Sequence, residues 1–69
     1  MDRKLVSSSN IRSIGYDPGS STLEIEFVSG TVYQYAGVPQ AEYDGLMAAG
    51  SFGTYFNANI KNRYSFTQL

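Results

Sequence analysis

The segment Thr31–Pro39, TVYQYAGVP, joins an N-terminal half whose pattern is typical of strands to a C-terminal half whose pattern is typical of helices. It begins with the alternation of a strand, in which Tyr33 and Tyr35 are separated by one residue and share a face. It ends in Gly-Val-Pro, and Pro39 suits the first turn of a helix. We therefore predict strands before this stretch and helices after it.

Two further strands are predicted ahead of it. Residues 11–16 follow a polar Ser-Asn run, and residues 23–27, LEIEF, alternate strictly between apolar and acidic side chains. The turn between them, DPGSS, combines a proline, which presets φ, with a glycine, which accepts a positive φ. In the second of these strands we expect the apolar residues to face the core, and Glu24 and Glu26 to face water as ordinary solvated charges.

The loop after Phe27 allows two registers, which place the two tyrosines on opposite faces of the sheet. A two-residue loop would turn Tyr33 and Tyr35 outward and bury Gln34, which is unfavourable for an amide without partners. A three-residue loop, with Gly30 in the left-handed conformation, buries both tyrosine rings and leaves the glutamine outside. We predict the three-residue loop.

Two short helices are predicted after Pro39. The first is capped at its C-terminus by Gly50, and the second at its N-terminus by Ser51. Their apolar residues recur at helical spacing. These residues are Tyr43, Leu46 and Met47 in the first helix and Phe52, Phe56 and Ile60 in the second. The alternation at residues 64–66 fits either an extended tail or a strand with a partner.

Together these elements predict one α+β domain spanning residues 1–69. Its architecture is a small three-stranded antiparallel β-meander followed by two short helices packed on one sheet face. With 69 residues and no cysteine, the chain has no disulfide to stabilise it. Its six tyrosines and four phenylalanines must therefore pack the core, or burial must be gained by self-association.

Composition disfavours several classes of function. The chain has no histidine, no cysteine and no convergent acidic cluster, so we expect no enzyme, no metal site and no cofactor. The net charge of -1 and the pI of about 5.0 argue against a nucleic-acid footprint over the whole surface. No signal peptide and no apolar run of about 20 residues are present, so we expect a cytoplasmic protein without membrane contact.

Three segments in order are similar to a known family. They are SSNIRSIGYDP (Ser8–Pro18), LEIEF with SGTVYQYAGVP (Leu23–Pro39) and SFGTYFNANIKNRY (Ser51–Tyr64). The chain resembles the KTSC domain, a module of about this length found at the C-terminus of some lysyl-tRNA synthetases and as a separate protein in bacteria and phages. The resemblance implies a stand-alone bacterial or phage form. It also implies RNA binding, which has been suggested from the domain's association with a synthetase.

Two hypotheses for function follow. The first is a small non-catalytic binding module for RNA or a nucleotide-like ligand, one version of which is sequestration of a small nucleotide by a phage protein. Tyrosine rings stack on bases, Arg and Lys bind phosphate, and Asn reads base edges or ribose hydroxyls. The candidate ligand-binding residues are Arg12, Tyr55, Asn57, Lys61, Arg63 and Tyr64.

The second hypothesis is a protein-interaction or self-assembly module with no nucleic-acid ligand. The aromatic-rich composition and an unpaired C-terminal strand would favour burial against a host or partner protein, or against further copies in a homo-oligomer. The two hypotheses are compatible, since an oligomer interface can form a ligand pocket.

Overall fold

The sheet has five antiparallel strands, arranged in the order in which they occur along the chain. The computed structural model describes all residues, 1–69. The strands are β1 (Lys4–Leu5), β2 (Ile11–Asp17), β3 (Thr22–Phe27), β4 (Val32–Tyr35) and β5 (Phe66–Gln68). Helices α1 (Gln40–Ala48) and α2 (Phe52–Asn59) lie between β4 and β5 in the chain. The predicted α+β class is confirmed, with one further strand at each edge of the predicted three. The C-terminal segment is a strand that pairs with β4.

The β3–β4 hairpin has the predicted register. Ile25 pairs with Tyr33 and Leu23 pairs with Tyr35. Gly30 closes the loop with a φ of 96°, in the left-handed region that favours glycine. Both tyrosine rings therefore lie on the core face of the sheet, where Tyr35 is only 3% exposed.

The β2–β3 turn differs from the prediction in the residue that takes the positive φ. Ser21 has a φ of 54°, whereas Gly19 is not in the left-handed region. The carboxylate of Asp17 accepts hydrogen bonds from the N–H of Gly19 at 3.0 Å and from the hydroxyl of Ser20 at 2.9 Å. Because this Asx-type turn organises the first half of the loop, the left-handed residue falls at its end, next to β3.

The helix ends also differ in part from the prediction. Pro39 is the N-cap of α1 rather than a residue of its first turn, and its carbonyl oxygen accepts helical N–H groups at 3.0 and 3.3 Å. Ala49 ends the helix in an extended conformation, so Gly50 follows the cap and is not left-handed. Ser51 caps α2 as predicted, accepting the N–H of Thr54 at 3.3 Å. Neither helix combines the length and the apolar character needed to cross a membrane.

One apolar core lies between the sheet and the two helices. Its buried residues are Ile11, Ile14, Leu23, Ile25, Tyr35, Val38, Leu46, Phe56 and Ile60. The helices approach each other closely at Gly45 of α1 and Tyr55 of α2. A Cβ atom at position 45 would lie only 3.0 Å from Cζ of the tyrosine. The glycine, which weakens an isolated helix, thus allows the two helices to pack closely.

The opposite face of the sheet carries the polar side chains of β3, with one correction to the prediction. Glu24 is 5% exposed rather than solvated, because Arg3 and Gln34 cover it and donate hydrogen bonds to its carboxylate, the latter at 2.8 Å. Glu26, which is partly exposed, accepts a hydrogen bond from the hydroxyl of Ser13 at 2.8 Å. Burial alone would raise the pKa of Glu24, but the hydrogen bonds from Gln34 and Arg3 and the positive charge of Arg3 outweigh it and hold the pKa below its usual value.

Candidate functional site

A groove runs between the β3–β4 hairpin and α2, on the core side of the sheet. Its volume is about 490 Å³, within the range of small-molecule sites. The groove is lined by Asn10, Ile11, Phe27, Val28, Ser29, Thr31, Tyr33, Tyr35, Gly53, Phe56, Asn57 and Lys61. Six of these residues are apolar or aromatic, and five others offer amide, hydroxyl or ammonium groups; the remaining residue is a glycine.

Four of the six apolar residues that line the groove are aromatic. Phe27 lies edge-to-face against Tyr33 and against Phe56, with ring centroids 5.7 and 5.5 Å apart. Tyr35 contacts Phe56 in the same way at 5.5 Å. Edge-to-face pairs stabilise each other beyond the area that they bury, so these rings form a fixed wall. A fixed aromatic wall suits a flat, partly apolar ligand.

The polar groups of the groove come mainly from α2 and the turn that follows it. Gly53 and Asn57 are one helical turn apart, which places them on the same face of α2. Lys61 follows the helix, and its N–H donates to the carbonyl oxygen of Phe56 at 3.0 Å. Asn57 and Lys61 are both exposed, and no salt bridge engages Lys61. The ammonium and the amide are therefore available to a ligand.

The tyrosine hydroxyls of the groove are also without partners. Neither Tyr33 nor Tyr35 makes a side-chain hydrogen bond to another residue. Burial, and secondly the neighbouring Tyr33, raise the pKa of Tyr35 above its ordinary value of 10.0. The hydroxyl of Tyr35 therefore stays protonated at neutral pH and can donate a hydrogen bond.

A second group of polar and aromatic side chains lies beside α1, and we call it the Glu42 cluster: Glu42, Tyr55, Arg63 and Tyr64. The carboxylate of Glu42 accepts one hydrogen bond from the hydroxyl of Tyr55, at 2.7 Å, and another from the hydroxyl of Tyr64, at 3.0 Å. Arg63 lies 3.8 Å from the same carboxylate and 5.9 Å from the centre of the Tyr64 ring. These contacts join α1, α2 and the segment that leads into β5.

Both phenols of the Glu42 cluster have raised pKa values. For Tyr55 the main cause is the hydrogen bond to Glu42, followed by burial, and the pKa rises above 10.0. The pKa of Tyr64 is also raised above 10.0, mainly by burial and secondly by the hydrogen bond to Glu42. A carboxylate that accepts two phenol hydrogen bonds favours the protonated phenols, so this cluster is satisfied internally.

The six predicted ligand-binding residues therefore do not form one surface. Asn57 and Lys61 line the groove. Three others belong to the Glu42 cluster: Tyr55, Arg63 and Tyr64. Arg12 is exposed in β2, beside a register shift of the β2–β3 pairing, and lines neither region. The structure thus brings together two of the six at the groove and three at Glu42.

Sequence reasoning missed Glu42 and the role of the hairpin aromatics. A signal for Glu42 was present, since it lies next to Tyr43 and four residues before Leu46, at the border of the apolar face of α1. A carboxylate at that border reaches polar groups of the neighbouring helix. Phe27 and Tyr33 were assigned to the core, and their partial exposure in a groove depends on how far α2 lies from the hairpin.

Known proteins share this fold and sequence. Residues 7–64 match the KTSC domain. The chain belongs to the KTSC domain family. The crystal structure of a KTSC domain protein from Yersinia pestis matches it with a TM-score of 0.96 and 43% identity, covering 99% of this chain and 96% of that chain. An uncharacterized protein of Stutzerimonas stutzeri is 42% identical over 64 residues, which are 93% of this chain and 90% of that protein.

The KTSC domain also occurs as a region of larger enzymes. A lysine–tRNA ligase of Nostoc punctiforme is 43% identical to this chain over 59 residues, which are 86% of the chain and 10% of the ligase. The resemblance to the KTSC domain, and its relation to lysyl-tRNA synthetases, are therefore confirmed.

Proposed function

We propose that this KTSC domain is a non-catalytic binding module whose groove holds an unpaired nucleotide, either free or within single-stranded RNA. The observation that carries the proposal is the combination, in one groove, of a fixed aromatic wall with the unpaired ammonium of Lys61. Unpaired bases stack on aromatic side chains, and an ammonium group binds the phosphate.

The polar groups around the wall suit the remaining parts of a nucleotide. The amides of Asn10 and Asn57 can read a base edge or a ribose hydroxyl, and the hydroxyl of Tyr35 can donate to an acceptor deep in the groove. Similarity to a region of a lysine–tRNA ligase adds support, because that enzyme acts on an RNA. The acidic pI of about 5.0 favours a ligand that makes few phosphate contacts.

The test is a titration of ¹⁵N-labelled protein, followed by amide NMR spectra, with adenosine monophosphate and separately with a short single-stranded oligonucleotide of RNA. We expect amide shifts at the groove, around Asn57 and Lys61, with at least one of the two probes. Binding of the mononucleotide indicates capture of a free nucleotide. Binding of the oligonucleotide alone, with affinity that falls steeply as salt is raised, indicates RNA.

Two matched variants locate the site. Lys61→Ala removes the ammonium from the groove, whereas Arg63→Ala removes a nearby cation that belongs to the Glu42 cluster. We expect the first variant to weaken binding about tenfold, in line with a lost charged hydrogen bond, and the second to leave binding nearly unchanged. The reverse result would move the ligand to the Glu42 cluster, and no shift with either probe would refute the proposal.

A further inference from the structure

Strand β5 has an outer side that no other strand covers. On its inner side, the carbonyl oxygen of Ser65 accepts a hydrogen bond from the N–H of Ala36, and the N–H of Leu69 donates one to the carbonyl oxygen of Val32. The backbone groups of Ser65 and Leu69 therefore point toward β4 and the residue that follows it. Because the direction of hydrogen bonding alternates along an antiparallel strand, the N–H and C=O groups of Phe66 and Gln68 point away from the sheet. They have no other backbone partner.

The two edges of the sheet differ in how they are protected. Strand β1 has only two residues and includes Lys4, and short, charged edges resist pairing with other chains. The segment 65–69, SFTQL, contains no charged side chain and no proline. Its apolar side chains are also accessible, since Phe66 is 58% exposed and Leu69 is 64% exposed. The β5 edge is therefore open to an added strand.

We propose that β5 is an interface between two copies of this chain, paired antiparallel about a twofold axis at Thr67. In this register Phe66 of each copy lies opposite Gln68 of its partner. Each such pair exchanges two N–H···O=C hydrogen bonds, and the two five-stranded sheets become one continuous sheet. This interface does not depend on nucleotide binding.

A second copy fits this edge for reasons of symmetry and chemistry. The outward groups at Phe66 and Gln68 map onto each other under the twofold rotation, so the edge is self-complementary. Thr67 then meets Thr67 of the partner on the opposite face of the sheet, a favourable cross-strand pair. The strand has no charged side chain that would select an oppositely charged partner. A domain this small also gains from extra burial.

The interface is small, so the dimer is expected to be weak. A three-residue strand with one apolar side chain, followed by Leu69, buries less than the roughly 800 Å² per partner of a standard interface. We therefore expect dissociation in the micromolar range or above. Sedimentation velocity over a wide range of protein concentrations should show a monomer that converts to a dimer and to nothing larger. A monomer at millimolar concentration, or assemblies that keep growing, would overturn the proposal.

Gln68→Pro tests the backbone contact. It removes the outward N–H but none of the bonds to β4, because proline is tolerated on the open side of an edge strand. Gln68→Ala is the matched control, since it changes the side chain and keeps the N–H. We expect the proline variant to weaken the dimer by at least about tenfold and the alanine variant to dimerise, with equal melting temperatures as monomers. Equal dimerisation of both variants would refute the pairing.

Charge substitution at Thr67 tests the register. Lysines or glutamates placed opposite each other repel, so Thr67→Lys and Thr67→Glu should each weaken self-association by about fivefold. An equal mixture of the two should form a heterodimer at least as tight as the unsubstituted dimer. If the mixture does not associate, Thr67 does not lie on the axis and the proposed register is wrong.

Discussion

The two sides of α2 present similar residue types and use them in opposite ways. On one side, Tyr55 and the nearby Arg63 and Tyr64 converge on the carboxylate of Glu42. On the other side, Asn57 and Lys61 line a groove in which no carboxylate engages the ammonium. Glu42 on the neighbouring helix therefore makes the difference. The aromatic and cationic side chains that reach it stabilise the fold, and those on the other side remain free to bind a ligand.

The polar side chains on the two sides of α2 are expected to contribute differently to the stability of the fold. On the Glu42 side, the polar atoms have exchanged water for partners within the chain, and removing the shared acceptor leaves two phenols without a protein partner. On the groove side, the polar atoms still face water, so removing one of them changes stability little. Substitutions on the two sides of α2 should therefore differ in their effect on stability, and Tyr35, whose ring forms part of both the core and the groove, should be the most sensitive position.

Tyr35→Ala should have the largest effect. The ring is buried in the core and also forms the base of the groove, so its truncation should lower the free energy of unfolding by about 3–5 kcal/mol, as for other core aromatics. Tyr35→Phe keeps the ring and should change stability by less than about 1 kcal/mol, because the hydroxyl has no partner in the chain. Urea denaturation followed by circular dichroism measures both variants, and an unchanged midpoint for Tyr35→Ala would contradict the placement of the ring.

Glu42→Ala should have the next largest effect. It removes the acceptor of two phenol hydrogen bonds, and we expect the free energy of unfolding to fall by roughly 1–2 kcal/mol. Asp44→Ala is the matched control, because this carboxylate lies on the same helix, is exposed, and accepts only a hydrogen bond from the side chain of Gln40. The control should stay within about 0.5 kcal/mol of the unsubstituted protein. Equal losses would mean that helix charge, rather than the Glu42 cluster, explains the effect.

The fold was predictable from local sequence, because its main signals are short-range. The alternation of LEIEF and the three-residue loop ending at Gly30 establish the register, and the Ser51 cap establishes the start of α2. Strand β1 was not predicted, and the C-terminal segment was left open between an extended tail and a strand with a partner. Both strands are only two and three residues long, and they gain their strand character by pairing with neighbours.

The candidate site was less predictable, because it depends on distances between elements. The sequence places Tyr55 and Asn57 two residues apart, yet in a helix this spacing turns their side chains to different sides. The packing of α1 against α2 brings Glu42 to Tyr55. The position of the hairpin opens the groove beside Asn57. Residue type indicates which side chains could bind a ligand, whereas the grouping of these residues required the tertiary structure.

Gly45→Ala tests how closely the Glu42 side is packed. Alanine favours the helix by about 1 kcal/mol, but its Cβ would lie too close to the Tyr55 ring, so we expect a net loss of about 1 kcal/mol. Gly50→Ala has free space around its Cβ and no positive φ, and it should be neutral or slightly stabilising. Thermal unfolding of both variants gives the comparison, and a stabilised Gly45→Ala protein would show that the helices can separate without cost.

Alkaline pH tests the same cluster with a smaller effect. The pKa values of Tyr55 and Tyr64 are raised above 10.0 in the folded protein, so their contribution to stability is present below pH 10 and is lost as the pH rises through the folded values. The difference in melting temperature between the unsubstituted protein and Glu42→Ala should therefore shrink above pH 10. Tyr35, whose pKa is also raised, contributes equally to both proteins and cancels in this difference. A difference that stays constant to pH 11 would show that the phenols do not contribute through Glu42.

The smallest effects are expected for the two cations on either side of α2. Lys61→Ala should change the free energy of unfolding by less than about 0.5 kcal/mol, because the side chain is exposed and unpaired. Arg63→Ala should be almost as mild, since its side chain is 62% exposed and its nitrogen lies 3.8 Å from Glu42, beyond hydrogen-bond distance. Any loss in the arginine variant should disappear in high salt, which screens an exposed ion pair. A salt-independent loss above about 1 kcal/mol would mean that the cation, and not the pair of phenols, holds the Glu42 cluster together.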